Sequence, residues 1–186
     1  QDIVASENIE ITPRVKDEIW TALKNIAAGP VEQRTLTVLA GLIQDQAVKD
    51  ALAPYTLDGP HGYLLDSDRD TLSTGSNWQA FEMEALMENK SAVEPVLTYL
   101  FHVLEKRRFD GRPTLLILDE AWLFLNSGSF AKRIEAWLRT LRKKNVAVVF
   151  ATQNLSDVLK SSIASALIES CPTRIFLPNP DAQSPQ

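Results

Sequence analysis

The feature that most restricts the fold of this chain is the stretch Thr114-Leu115-Leu116-Ile117-Leu118-Asp119-Glu120-Ala121-Trp122. Five apolar or β-branched residues run into two adjacent acids, directly after the turn formers Asp110-Gly111-Arg112-Pro113. An apolar run this short, bounded by a Gly/Pro loop, is predicted to be a strand buried on both faces of a parallel sheet. Ligands of such sheets collect beyond the carboxyl ends of the strands, where Asp119 and Glu120 fall. A second run of the same kind, Val146-Ala147-Val148-Val149-Phe150-Ala151, ends at Thr152-Gln153-Asn154.

The rest of the chain can be read around these two strands. Thr12-Pro13 opens a helix with Thr as N-cap and Pro at the first helical position; Val15, Ile19, Leu23 and Ile26 form its apolar stripe, and Gly29-Pro30 stops it. A second helix is predicted over Glu32 to Ile43. A third starts near Asp45 and carries Val48, Ala51 and Leu52 up to Pro54. Tyr63-Leu64-Leu65 and the alternating Trp78 to Met83 suggest short strands, separated by a polar loop from Asp66 to Asn77. Ser91-Ala92-Val93-Glu94 has the form of a capping box opening a helix that ends in Lys106-Arg107-Arg108. A short helix or turn through Phe124, a break at Asn126-Ser127-Gly128 and an amphipathic helix from Phe130 to about Lys144 link the two strands. A helix marked by Ile163, Leu167 and Cys171 and a last strand, Arg174 to Leu177, follow. From Ser91 onward helix and strand alternate, which predicts crossover units in a parallel α/β sheet.

Length and composition permit this plan. A chain of 186 residues suits one domain with at most a small appendage. Hydrophobic residues make up 45% and charged residues 23%, enough apolar material for a core without staples. The net charge of −5 argues against a nucleic-acid footprint spread over the whole surface, although Lys132, Arg133, Arg139, Arg142, Lys143 and Lys144 concentrate positive charge locally. The single Cys171 has no partner within the chain for a disulfide and reads as a buried structural thiol in a reducing compartment. No signal peptide is visible at the start, and no apolar stretch approaches the roughly 20 residues of a membrane helix.

Two acids at a strand tip suit a particular chemistry. Asp119 would hold the water shell of a Mg²⁺ ion, and Glu120 would polarise a water for attack on a γ-phosphate, the form of a Walker B motif. An amide at the next strand tip, Gln153, would touch both that water and the phosphate. Each residue also has a plainer reading. The acids would be favoured at any helix N-terminus, and a polar residue after a strand is usually a turn former. Arg139 and Arg142 are candidates for an arginine reaching a neighbouring subunit's nucleotide, but a solvated basic face explains any one arginine more economically. His61 and His102 have no ligand at metal spacing, and the four Trp residues read as core or rim packing.

One expected element is missing. No G-x-x-x-x-G-K-[ST] phosphate loop occurs, and no Gly is followed by Lys. Either the chemistry is not nucleotide hydrolysis, or the loop lies upstream in a longer parent. The second option accords with a chain that begins at Gln1 rather than Met.

Several of these motifs in register resemble one family. Leu115 to Trp122, Trp137-Leu138-Arg139-Thr140-Leu141-Arg142-Lys143-Lys144-Asn145, Phe150-Ala151-Thr152-Gln153 and Cys171 to Pro180 are similar to the TrbE/CagE ATPases of conjugal transfer and type IV secretion, as are Phe81-Glu82-Met83 and Tyr99-Leu100-Phe101-His102. The resemblance runs from about Gly62 to Pro180. It implies a RecA-like P-loop NTPase core at 62–180 without its phosphate loop, a helical insertion at 1–61 and a tail at 181–186. It implies ATP and Mg²⁺ as cofactors of the intact parent, Glu120 and Gln153 as catalytic residues, Asp119 as the Mg²⁺ residue acting through water, and Arg139 and Arg142 facing an adjoining subunit. The partners implied are further copies in a hexamer, other type IV secretion ATPases and inner-membrane components, with DNA or protein as cargo. The implied location is the cytoplasmic face of a bacterial inner membrane. Two rivals stay open: a non-catalytic interaction or DNA-binding module whose acids only cap a helix, and a related RecA-like DNA translocase.

Overall fold

The computed structural model describes residues 3, 4, 7, 9–72, 75–121, 125, 128–153 and 155–178. The expected turn through Phe124, Trp122 and the tail 181–186 lie outside these. Two compact units form, Gln1–Arg107 and Arg108–Gln186. They divide later than the compositional boundary at 61/62, because the helix ending at Arg107 is bonded to the helical unit before it.

In the first unit, α1 (Pro13–Ala28) starts as its sequence predicts: Thr12 Oγ1 accepts from the Val15 N–H at 3.3 Å, and Pro13 occupies the first turn. The helix expected over Glu32 to Ile43 is split. A single 3₁₀ turn covers Val31–Gln33, and α2 (Leu36–Leu42) restarts behind a new N-cap, Thr35. Competition for the backbone explains the break. The Asp66 carboxylate, far along the chain, accepts from the N–H groups of Leu36 (2.6 Å) and Thr37 (3.1 Å), an anion held at the positive end of α2. Asp45 caps α3 (Gln46–Leu52), and the Glu18 carboxylate accepts from the Gln44 and Asp45 N–H groups ahead of it. Val15, Ile19, Ala22, Leu39, Ile43, Val48 and Leu52 meet in one apolar core with Val4.

The chain then turns tightly. A Cβ at Gly62 would stand 2.1 Å from the Thr56 carbonyl oxygen, so only glycine fits. Tyr63-Leu64-Leu65 is not a strand but belongs to the one-turn α4 (Gly62–Leu65), with Tyr63 exposed. Trp78 to Met83 form no strand either. Ser76 Oγ bonds the Trp78 N–H and C=O, and Glu82 Oε1 accepts from the Met83 and Glu84 N–H groups ahead of α5 (Glu84–Met87); these local bonds take the backbone groups a ladder would need.

Helix α6 (Lys90–Arg107) begins one residue before Ser91, so Ser91 is no N-cap and the predicted capping box does not form. Pro95 lies inside this helix and has no N–H, so it cannot donate to the Ser91 carbonyl four residues back. The fully buried Tyr55 does so instead, its hydroxyl donating to that carbonyl at 2.7 Å. Burial raises the Tyr55 pKa, helped by the negative charges of Glu7 and Glu94. Ser91 Oγ is bonded to the buried His61 Nε2 at 2.8 Å. At the far end of α6, Arg107 pairs with Asp70 at 2.6 Å and ties the polar loop down.

In the second unit, β1 (Thr114–Leu118) and β2 (Val146–Phe150) pair directly and in parallel, Leu118 opposite Phe150. Between them runs α7 (Gly128–Thr140), with buried Phe130, Ala131, Ile134 and Trp137, and Trp137 meets Phe109 edge to face at 5.3 Å. The amphipathic pattern expected to reach Lys144 tightens into a 3₁₀ turn, Leu141–Lys144, closed by Asn145 at φ 59°, a left-handed position asparagine tolerates. Two short helices follow, α8 (Leu155–Lys160), which no periodicity in the sequence announces, and α9 (Ala164–Ser170), which packs against α7.

Three expectations fail here. The sheet is covered on one face only: Leu118 and Val146 are buried, whereas Leu115, Ile117 and Val149 are 58%, 52% and 45% exposed. Arg174 to Leu177 form no strand, since no ladder partner lies beside them among the described residues, and Ile175, Phe176 and Leu177 are exposed. Trp20 and Trp78 are exposed as well, so of the described tryptophans only Trp137 is core.

Two outcomes follow from the first unit. Tyr55→Phe should destabilise the chain by about 1–2 kcal/mol in urea unfolding, because it orphans the Ser91 carbonyl; in a Pro95→Ala background, where a backbone N–H returns to that carbonyl, the loss should shrink. For Asp70, partial burial acts upward but is outweighed by the Leu72 N–H, the Tyr99 hydroxyl and Arg107, which leave the pKa below its ordinary value. A carboxylate lowered in this way contributes stability that is complete above the ordinary carboxylate range and is lost as pH falls through the lowered value. Asp70→Asn should therefore flatten the acid limb of the stability–pH curve, and salt should weaken the effect because the pair is partly exposed.

Candidate functional site

The carboxyl ends of β1 and β2 are where chemistry-bearing side chains converge. A regular parallel ladder would bond Ala151 to the residues on either side of Asp119. Here the Ala151 N–H donates to the Leu118 carbonyl at 3.0 Å, but the Ala151 carbonyl accepts from the Ala121 N–H at 2.9 Å, one residue further on than the regular pattern. One extra residue is thus inserted opposite Ala151, a bulge at the end of the sheet. Glu120 absorbs it by taking φ 49°, a left-handed conformation that a residue with a side chain adopts only at some cost.

The bulge has a chemical result. Glu120 Oε1 accepts from Gln153 Nε2 at 2.6 Å, a charge-assisted hydrogen bond between residues 33 apart in sequence. Asp119 turns one carboxylate oxygen back onto the Glu120 N–H at 2.9 Å, which steadies the distorted peptide. Asp119 and Gln153 are exposed and Glu120 is half-buried, so both acids face solvent at this rim. With its amide N–H committed to Glu120, Gln153 keeps its carbonyl oxygen to accept from a bound water or hydroxyl.

The acids suit one kind of ion. Carboxylate oxygens are hard donors, and Mg²⁺ commonly takes one or two of them while keeping several waters. Among the described residues no cluster of three or more His, Cys, Asp or Glu side chains is arranged to hold a metal by itself, so a soft-metal or structural zinc site does not match the donors here. A phosphate group finds no cradle in this sequence, which has no Gly-rich phosphate loop.

The two arginines singled out from the sequence are not at this rim. Arg139 pairs with Glu135 one turn back on α7 at 2.5 Å. Arg142 lines a groove with Pro113, Thr114, Leu115, Asn145 and Val146 at the amino ends of the strands, roughly 13 Å of strand away from the acids. Neither serves the acids of its own strand tips. Cys171 is half-buried rather than buried; burial raises its pKa and Arg174 opposes this, so the thiol is held in its less reactive form.

Residues 43–183 match the family model of the TraG P-loop domain. The chain is 45% identical over 184 residues, 98% of its length, to a probable conjugal transfer protein TrbE of Sinorhizobium fredii (strain NBRC 101917 / NGR234), and those residues make up 27% of that relative. It is 46% identical over 184 residues to the conjugal transfer protein TrbE of Rhizobium radiobacter, again 98% of this chain and 22% of the relative. The chain belongs to the TrbE/VirB4 family. A third relative, the type IV secretion system protein virB4 of Bartonella quintana (strain Toulouse), is 32% identical over 185 residues, 97% of this chain and 23% of its own length. This TrbE/VirB4 chain thus spans about a quarter of the length of the curated relatives it matches.

The bulge is invisible to sequence reading. An acid in a left-handed position leaves no signature beyond the adjacency of Asp119 and Glu120. The buried His61–Ser91–Tyr55 cluster also escapes it, although Pro95 within a helical pattern was an available signal. Glu120→Gly is expected to leave the chain equally stable or more stable, by up to about 1 kcal/mol, because glycine accepts φ 49° without strain. Glu120→Val should cost about 1–3 kcal/mol, measured by thermal unfolding.

Proposed function

We propose that this chain is the water-activating portion of an ATP-hydrolysing motor of type IV secretion and conjugal transfer. In this reading the α/β unit belongs to a RecA-like core whose phosphate loop is supplied by other polypeptide, and the helical residues 1–61 are an insertion into that core. The observation that carries the proposal is the Glu120–Gln153 hydrogen bond, which joins the tips of two adjacent parallel strands at the rim where α/β sheets bind ligands. The names of the relatives, conjugal transfer protein TrbE and type IV secretion system protein virB4, support the same reading.

The roles follow from the geometry. Glu120, held by the bulge, accepts a proton from a water; Gln153, bonded to Glu120 through its N–H, orients that water with its carbonyl oxygen. Asp119, exposed beside them, would help hold Mg²⁺ through water, and the ion would supply charge neutralisation on the phosphates. Arg139 and Arg142, away from this rim, would reach nucleotide only on an adjoining copy, as a ring of subunits requires. In this proposal the assembly is a hexamer working with other type IV secretion ATPases and inner-membrane components at the cytoplasmic face, on DNA or protein cargo. No helix among the described residues is long and apolar enough to cross a membrane.

In a longer TrbE/VirB4 polypeptide carrying this segment, Glu120→Gln should leave nucleotide affinity unchanged and lower ATP turnover by at least about a hundredfold, with Gln153→Ala intermediate. The 186-residue chain alone should turn over no ATP in a phosphate-release assay. Undiminished turnover by Glu120→Gln would remove Glu120 from the chemistry.

A further inference from the structure

We infer that the open face of the β1–β2 sheet is the seat of an amphipathic helix, running antiparallel to the strands and contributed by the portion of a TrbE/VirB4 polypeptide outside the quarter that this chain matches. The face is built from Leu115 and Ile117 of β1 beside Ala147 and Val149 of β2, paired 115 with 147 and 117 with 149. All four are exposed, and parallel sheets with aliphatic residues on both faces are found covered on both.

Dimensions select a helix. Two strands about 4.8 Å apart, each five residues long, present a strip roughly 10 Å wide and 16 Å long. That is the width of one helix and the length of about three turns. Charge selects its direction. Asp119 stands exposed two residues beyond Ile117 at the carboxyl end, and Arg142 lines the groove beside Leu115 and Ala147 at the amino end. A helix with its positive N-terminus toward Asp119 and its negative C-terminus toward Arg142 complements both.

Area argues against a second copy as the occupant. A strip of this size offers roughly 160 Å² per partner, far short of the ~800 Å² that a stable interface buries on each side. A helix carried by a longer polypeptide needs no such area, because contacts elsewhere add to it. The curated relatives, of which this chain spans 22% to 27%, have the length to supply one.

The inference rests on the family and on the exposed face, not on catalysis, so a binding test separates it from the proposal above. The 186-residue chain would be co-expressed with the portion of the Rhizobium radiobacter TrbE that it does not match, and complex formation followed by co-elution and titration. An equimolar complex is expected. Ile117→Lys with Val149→Lys should weaken it by about tenfold or more, while Leu57→Lys, an exposed apolar site on the helical unit, should not. Since Ile117 and Val149 are about half exposed, the double variant should keep the wild-type circular dichroism and melting temperature. Failure of the wild-type chain to form a complex, an affinity untouched by the double variant, or self-association that the double variant abolishes would each overturn the inference.

Discussion

The second unit depends on one pairing, the parallel ladder that sets Leu118 opposite Phe150. Because the strands are direct neighbours and end at the same level, whatever follows them emerges at one rim. The ladder then takes an extra residue on one side only, and the strain falls on Glu120 at φ 49°. A regular ladder would give that position to a residue bonded in the sheet. The bulge instead frees Glu120 to meet Gln153, so the site is a consequence of a local fault in the ladder rather than of loop chemistry.

The first unit is held differently. Its helices are short, at seven residues for α2 and for α3, below the length at which a helix persists by itself in water. They are stabilised by a shared apolar core and by acids borrowed from elsewhere in the chain: Asp66 at the start of α2, Glu18 ahead of α3. The Tyr55 hydroxyl repairs the hydrogen bond that Pro95 removes from α6. These long-range bonds to backbone groups, more than apolar area alone, tie α6 to the helices that precede it.

The two buried-looking runs, 114–118 and 146–150, were legible as strands because each is a dense apolar segment between strong punctuation. Helix starts at Thr12 and Asp45 were legible because an N-cap acts on its own next turn. Strands expected at Tyr63 and Trp78 failed because a strand needs a partner, and local side-chain bonds won the backbone there. The Ser91 capping box failed for a related reason: its hydroxyl found His61, a residue 30 positions away. Of the candidate site, the chemical types at 119, 120 and 153 could be read directly. Their meeting could not, since a crossover allows neighbouring or separated strands.

By itself, then, the sequence determined which segments are strongly apolar, where the local caps lie and which acids and amide end the two strands, because these depend on residues within a turn of one another. Only the tertiary structure decided that the strands are adjacent, that one sheet face stays open and that Glu120 takes the extra place in the ladder. Those outcomes follow from pairing and packing between residues tens of positions distant, where the entropy of closing the intervening chain is balanced by contacts that no short pattern encodes.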